Sequence, residues 1–124
     1  WGRLLLDERR RSEAAGLPVR FEEGDSQKLR FADGTFDACR TERMLCHVPD
    51  TAAVLAEMIR VVRPGGTVVA IDVDLEAALL DAPDLPFTRM FFSTFADTLS
   101  HGRMARELPR HFRLSGLKDV TVFP

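Results

Sequence analysis

The stretch from Pro49 to Asp72, PDTAAVLAEMIRVVRPGGTVVAID, admits few folds, because it reads as a helix, a tight turn and a strand in unbroken succession. Val54, Leu55, Met58, Val61 and Val62 recur at three- and four-residue spacing, which lays one apolar stripe along a helix that Asp50 can cap. Arg60 and Arg63 fall in its last turn, where cations suit the carbonyl end of the dipole, and Pro64, lacking an N–H, forbids continuation. Pro64 also presets a type II turn whose positive φ falls to Gly65 or Gly66. Val68-Val69-Ala70-Ile71 then runs apolar without alternation, which predicts a strand covered on both faces. Together these form half of a parallel βαβ unit. Ligands of open parallel sheets gather at the carboxyl ends of strands, here around Asp72.

The flanking segments extend the same architecture. Arg3 to Ala15 reads as an exposed amphipathic helix anchored by Leu4 and Leu5 and capped by Gly16. Val19 and Phe21 alternate with Arg20 and Glu22, predicting a short strand that ends at Gly24-Asp25. A loose turn over Ser26 to Phe31, a turn at Asp33-Gly34 and a second strand from Phe36 to Arg40 follow. Beyond Asp72, Leu75 to Leu80 reads as a short helix and Asp81 to Pro86 as a loop. The next helix carries Phe87, Met90, Phe91, Thr94, Phe95 and Leu99 on one wide face, which reads as an interface ahead of core or a lid over an apolar acceptor. A helix from Arg103 to Ser115 with Met104, Leu108 and Phe112 inward, a Gly116 cap and a last strand at Val120 and Val122 complete the chain. The succession predicts an α/β fold with a mostly parallel sheet flanked by helices.

Charge and composition narrow the partners. A formal charge of −2 and the dilution of Arg9-Arg10-Arg11 by Asp7, Glu8 and Glu13 argue against nucleic acid, and no apolar run approaches the ~18 residues of a membrane span. These features point to a soluble, cytoplasmic protein. Cys39 and Cys46 lack the paired spacing of a zinc site and read as reduced thiols, so no metal is expected. No two glycines are separated by a single residue, so a glycine-rich dinucleotide cradle is missing from this sequence.

Gly24-Asp25 followed by Leu29, Phe31, Asp33-Gly34 and Phe36-Asp37, then His47-Val48-Pro49-Asp50 and Arg60-Val61-Val62-Arg63-Pro64-Gly65-Gly66, resembles class I S-adenosylmethionine-dependent methyltransferases. The branch is that of ubiquinone- and menaquinone-biosynthesis-type enzymes, with Ser26, Arg30 and Thr35 in place of the usual alanine, proline and serine. Leu108-Pro109, Phe112, Ser115-Gly116-Leu117 and Asp119-Val120 continue the resemblance toward the end of the chain.

The resemblance implies a partial Rossmann-like methyltransferase fold. It implies S-adenosylmethionine as cofactor, with Asp25 at the adenine amino group, Ser26 at the ring through its backbone, and Leu29 packed on the adenine. Arg40, Thr41 and Glu42 would pass beneath the methionine part, and Met44 to His47 would face a small-molecule acceptor. The catalytic base is not identified; His47, before a Pro-Asp helix start, reads first as a structural or solvent-exposed histidine and second as the candidate base, needed only if the acceptor must lose a proton. Asp72 reads equally as a substrate neighbour or a cap, and Glu42 and Arg43 as a pair across the cleft or as surface charges.

Relative to the family, residues 1–124 read as a single incomplete domain that begins at the helix after the second strand and lacks the glycine loop and the closing strand. That arrangement leaves sheet edges to be covered, so a homo-oligomer is expected. Two functions fit: methyl transfer to a small molecule, or a catalytically inactive module acting through self-association or partner binding. A nicotinamide-dependent enzyme fits poorly, since its glycine fingerprint is equally missing.

Overall fold

The computed structural model describes residues 9–78 and 80–123. In chain order these form helix α1 (9–14), strand β1 (Phe36–Glu42), helix α2 (Thr51–Val61), strand β2 (Val62–Ile71), a 3₁₀ turn (Leu75–Ala77), helix α3 (Leu85–Thr98) and helix α4 (Met104–Leu114). Leu4 and Leu5, the expected anchors of the first helix, lie outside the described residues.

At the centre, helix α2 ends at Val61, so Arg60 lies in its last turn, whereas Val62, Arg63 and Pro64, expected to finish the helix, already belong to β2. The Asp50 carboxylate accepts the N–H of Ala53 at 2.9 Å and caps α2, whose Val54, Leu55, Met58 and Val61 are all buried. Gly65 takes the positive φ, at 79°. Strands β1 and β2 pair in parallel, with Ala38 opposite Thr67, Thr41 opposite Ala70 and Glu42 opposite Ile71, so β1, α2 and β2 make one βαβ unit. The α/β class and the parallel pairing are thus as expected.

Three local expectations are corrected. Strand β2 is covered on one face only: Val68 and Ala70 turn inward, whereas Val69 and Ile71 keep 39% and 42% of their surface in solvent. Burial of both faces needs a second layer, and helix α2 supplies just one. Residues 19–24 form no strand, because no ladder partner runs beside them among the described residues; Asp25 makes only an isolated bridge to Lys28. Residues 117–123 also form no strand, and Val122 and Phe123 stand exposed.

The core joins the unit to the C-terminal helices. Leu45, Cys46, Val54, Leu55 and Met58 pack with Met104 and Leu108 of α4. The turn between α3 and α4 docks on the loops beyond the strand ends: His101 donates to the Cys46 carbonyl at 3.1 Å, Leu75 to that of Gly102 at 3.0 Å, and Ala105 to that of Val73 at 3.2 Å. Arg106 with Asp74, and Arg103 with Glu76 and Asp97, add a network of ion pairs over this junction. Helix α3 departs from an ordinary core helix. Thr88 and Ala96 are its buried residues, and Phe87, Met90, Phe91 and Phe95 face outward around a groove of about 320 Å³.

Candidate functional site

Between the described part of α1 and β1 the chain runs without regular structure and folds around a cleft of about 490 Å³. Asp25, Ser26 and Leu29 line it together, joined by Phe31 and Phe36, whose rings meet edge to face at 4.9 Å. That size lies within the range of small-molecule sites. The Asp25 carboxylate accepts the N–H of Gln27 at 2.9 Å, an Asx turn that fixes the carboxylate at the rim. Charged groups frame the opening: Arg20 pairs with Glu22 at 2.6 Å, and Arg30 donates to the Glu23 carbonyl.

The floor of the cleft is held from α2. Glu57 accepts the Leu29 N–H at 2.7 Å, while Arg60 donates to the carbonyls of Leu29 at 3.1 Å and Phe31 at 2.8 Å and to the Asp33 carboxylate at 2.7 Å. Arg60 also clasps Glu57 with its Nε and Nη2 at 2.7 and 2.8 Å. This fork, with the Leu29 N–H, holds the Glu57 carboxyl at about 2, below its ordinary 4.5, against the opposing cost of burial. Sequence reasoning gave Arg60 only a dipole role and passed over Glu57. The available signal was an acid and an arginine three residues apart on one helix face, which does not disclose a partner 28 residues away.

The remaining expected residues lie elsewhere. Arg40 and Thr41 do not line this cleft. Arg40 is exposed and pairs with Glu42 at 2.5 Å, so Glu42 meets Arg40 rather than Arg43. Thr41 is buried near the carboxyl end of β1, and its hydroxyl has no hydrogen-bond partner among the described residues. His47 is exposed on the loop after β1, where its carbonyl accepts the Ser100 hydroxyl at 3.4 Å. Asp72 serves the backbone: its carboxylate accepts the N–H groups of Cys46 at 3.2 Å and Val73 at 2.9 Å. Burial, reinforced by that carboxylate, pushes the Cys46 thiol up to about 12, so it is no nucleophile at neutral pH. Among the described residues no three His, Cys, Asp or Glu side chains cluster to hold a metal, and no helix is long and apolar enough to cross a membrane.

Leu29, Phe31 and Phe36 give the cleft apolar walls, and Asp25 gives it a fixed hydrogen-bond acceptor.

Residues 3–70, more than half of the chain, match a family model described as a methyltransferase domain. The chain belongs to the class I S-adenosylmethionine-dependent methyltransferases, of the ubiquinone/menaquinone type. It is 40% identical over 123 residues to an uncharacterized 37.1 kDa protein in a transposon of Streptomyces fradiae, covering 98% of this chain and 35% of that one. It is 36% identical over 87 residues to the ubiquinone/menaquinone biosynthesis C-methyltransferase UbiE of Desulfotalea psychrophila, covering 70% and 35% of the two chains. With the demethylmenaquinone methyltransferase of Thermus thermophilus it shares 41% identity over 69 residues, 56% of this chain and 31% of that one. The chain therefore spans about a third of the length of these relatives.

Proposed function

We propose that this chain seats the nucleoside end of S-adenosylmethionine in the cleft at Asp25 and takes part in methyl transfer to a small molecule. The observation that carries this reading is the convergence of Asp25, Ser26 and Leu29 on one cleft with Phe31 and Phe36. In this reading Asp25 accepts from the adenine amino group, the Ser26 backbone meets the ring edge, and Leu29 packs on its face. The unpartnered Thr41 hydroxyl and the neighbouring Arg40 are assigned to the far end of the cofactor, at the carboxyl end of β1. The cofactor supplies a methyl group on a sulfonium, an electrophile that asks of the protein mainly alignment and exclusion of water. His47 on its exposed loop is assigned the proton of an acceptor that must lose one.

Calorimetric titration of the chain with S-adenosylmethionine and S-adenosylhomocysteine tests the proposal. Saturable heat for both ligands supports it, and no heat up to the millimolar range rejects it. An inactive module that self-associates is the second reading. It is favoured by the outward apolar side chains of α3 and the open face of β2 at Val69 and Ile71. Light scattering after size exclusion tests it: a dimer supports this reading, and a 13.9 kDa monomer rejects it.

A further inference from the structure

We propose that Glu57 and Arg60 are positioning residues for the cleft, acting through the Leu29 backbone; the proposal rests on the reading of that cleft as a nucleoside site. Leu29 lies in a segment without a sheet ladder or helix of its own, yet both its backbone polar groups are engaged by one ion pair. Its N–H meets Glu57 Oε2 at 2.7 Å and its carbonyl meets Arg60 Nη2 at 3.1 Å. A second grip lies two residues on, where Arg60 Nη1 takes the Phe31 carbonyl at 2.8 Å. Leu29 and Phe31 line the cleft, so three peptide units under the candidate adenine walls are fastened to the same guanidinium or its carboxylate partner.

The fastening is made to a rigid reference. Val54, Leu55 and Met58, on the inner face of the same helix, are fully or nearly fully buried in the core, so α2 cannot shift without opening it. Neither partner is replaceable alone. Without Glu57 the Leu29 N–H loses its acceptor and Arg60 its counter-charge, and a lysine at 60 cannot reproduce a planar fork that reaches two carbonyls and two carboxylates. A site built on a loop gains precision when its backbone is tied to such an element.

The test combines amide hydrogen exchange of the ligand-free chain with calorimetry using S-adenosylhomocysteine, on wild type, Glu57→Ala, Arg60→Lys and the core control Met58→Ala. Glu57→Ala is expected to speed exchange of the Leu29 amide by about tenfold or more, leave the Leu55 amide unchanged, and weaken binding by about tenfold. Met58→Ala is expected to speed exchange along α2 and leave the dissociation constant within about threefold at a temperature where it stays folded. Should Glu57→Ala not fold, Arg60→Lys carries the test, with binding weakened by about fivefold or more. Undiminished binding by these variants, or equal weakening by Met58→Ala, overturns the positioning role. Failure of wild type to bind S-adenosylhomocysteine overturns the nucleoside reading instead, and in that case the Leu29 exchange rates still report whether the clamp exists.

Discussion

Glu57 accepts the backbone N–H of Leu29 at 2.7 Å, across 28 residues of sequence, and so ties the irregular segment before β1 to the central helix. The bond gives the cleft its fixed floor, and its energetics set the first expectation.

The Glu57 carboxyl is held at about 2 in the folded chain, chiefly by the hydrogen bond from Arg60 and further by the Leu29 N–H, against an ordinary 4.5. The unfolded chain therefore binds more protons at this site between those values, and stability declines there as pH is lowered. Its contribution is fully present above about 4.5 and is lost as pH falls through about 2. Urea titrations of wild type and Glu57→Gln should keep a constant difference in midpoint from pH 8 to pH 5. The difference should shrink progressively below that range; if it stays constant to pH 3, the carboxylate is not the titrating partner.

Cys46 is 1% exposed and its thiol is pushed up to about 12 by burial and the Asp72 carboxylate; burial raises the half-buried Cys39 as well. At pH 8 a group at about 12 is roughly one ten-thousandth thiolate. A disulfide reagent at pH 8 should leave Cys46 unmodified in the native chain and label it promptly in denaturant, as read by mass spectrometry of its peptide. Rapid native labelling of Cys46 would contradict the packing described.

Gly102 is buried in the turn between α3 and α4, and a Cβ there would fall on the backbone of Ala96, closer than atoms can approach. The Gly102 carbonyl also receives Leu75 at 3.0 Å, so the turn cannot swing away without loosening that junction. Gly102→Ala should destabilise the chain by about 1–3 kcal/mol, whereas Gly16→Ala meets no atoms and pays only for its φ of 65°. Thermal unfolding of the two variants checks the order, and a reversed order would contradict the packing of this turn.

What the sequence disclosed and what it withheld divide by range. Asp50 and Gly65 act within a few residues of themselves, and each does in the structure what its type predicts. The inward stripes of α2 and of Met104 and Leu108 were legible for the same reason, since helical spacing is a local property. The open face at Val69 and Ile71 was not, because burial depends on a neighbouring layer that residue type alone cannot supply. Val19 and Phe21 alternate as a strand does, but alternation provides no ladder partner. In the cleft, Asp25, Ser26 and Leu29 were named from the motif they resemble, while the clamp beneath them joins positions too distant for any periodicity to link.

Helix α3 offers the fourth expectation. Phe91 sits among Phe87, Phe92 and Phe95, with ring centroids 5.4 to 6.4 Å apart, and is 51% exposed. An exposed substitution costs within about 0.5 kcal/mol of folding stability, so Phe91→Glu should fold normally. If α3 is the face through which copies associate, light scattering will show a smaller mass for Phe91→Glu than for wild type at equal concentration. An unchanged oligomeric mass removes α3 from that role.

The central claim is that the cleft at Asp25 holds a nucleoside, and amide chemical-shift mapping during titration with S-adenosylhomocysteine reads it residue by residue. The account predicts saturable shifts at Asp25, Ser26, Leu29 and Phe31, all reduced together in Asp25→Ala. Shifts confined to α3, or none at these residues at millimolar ligand, would contradict it.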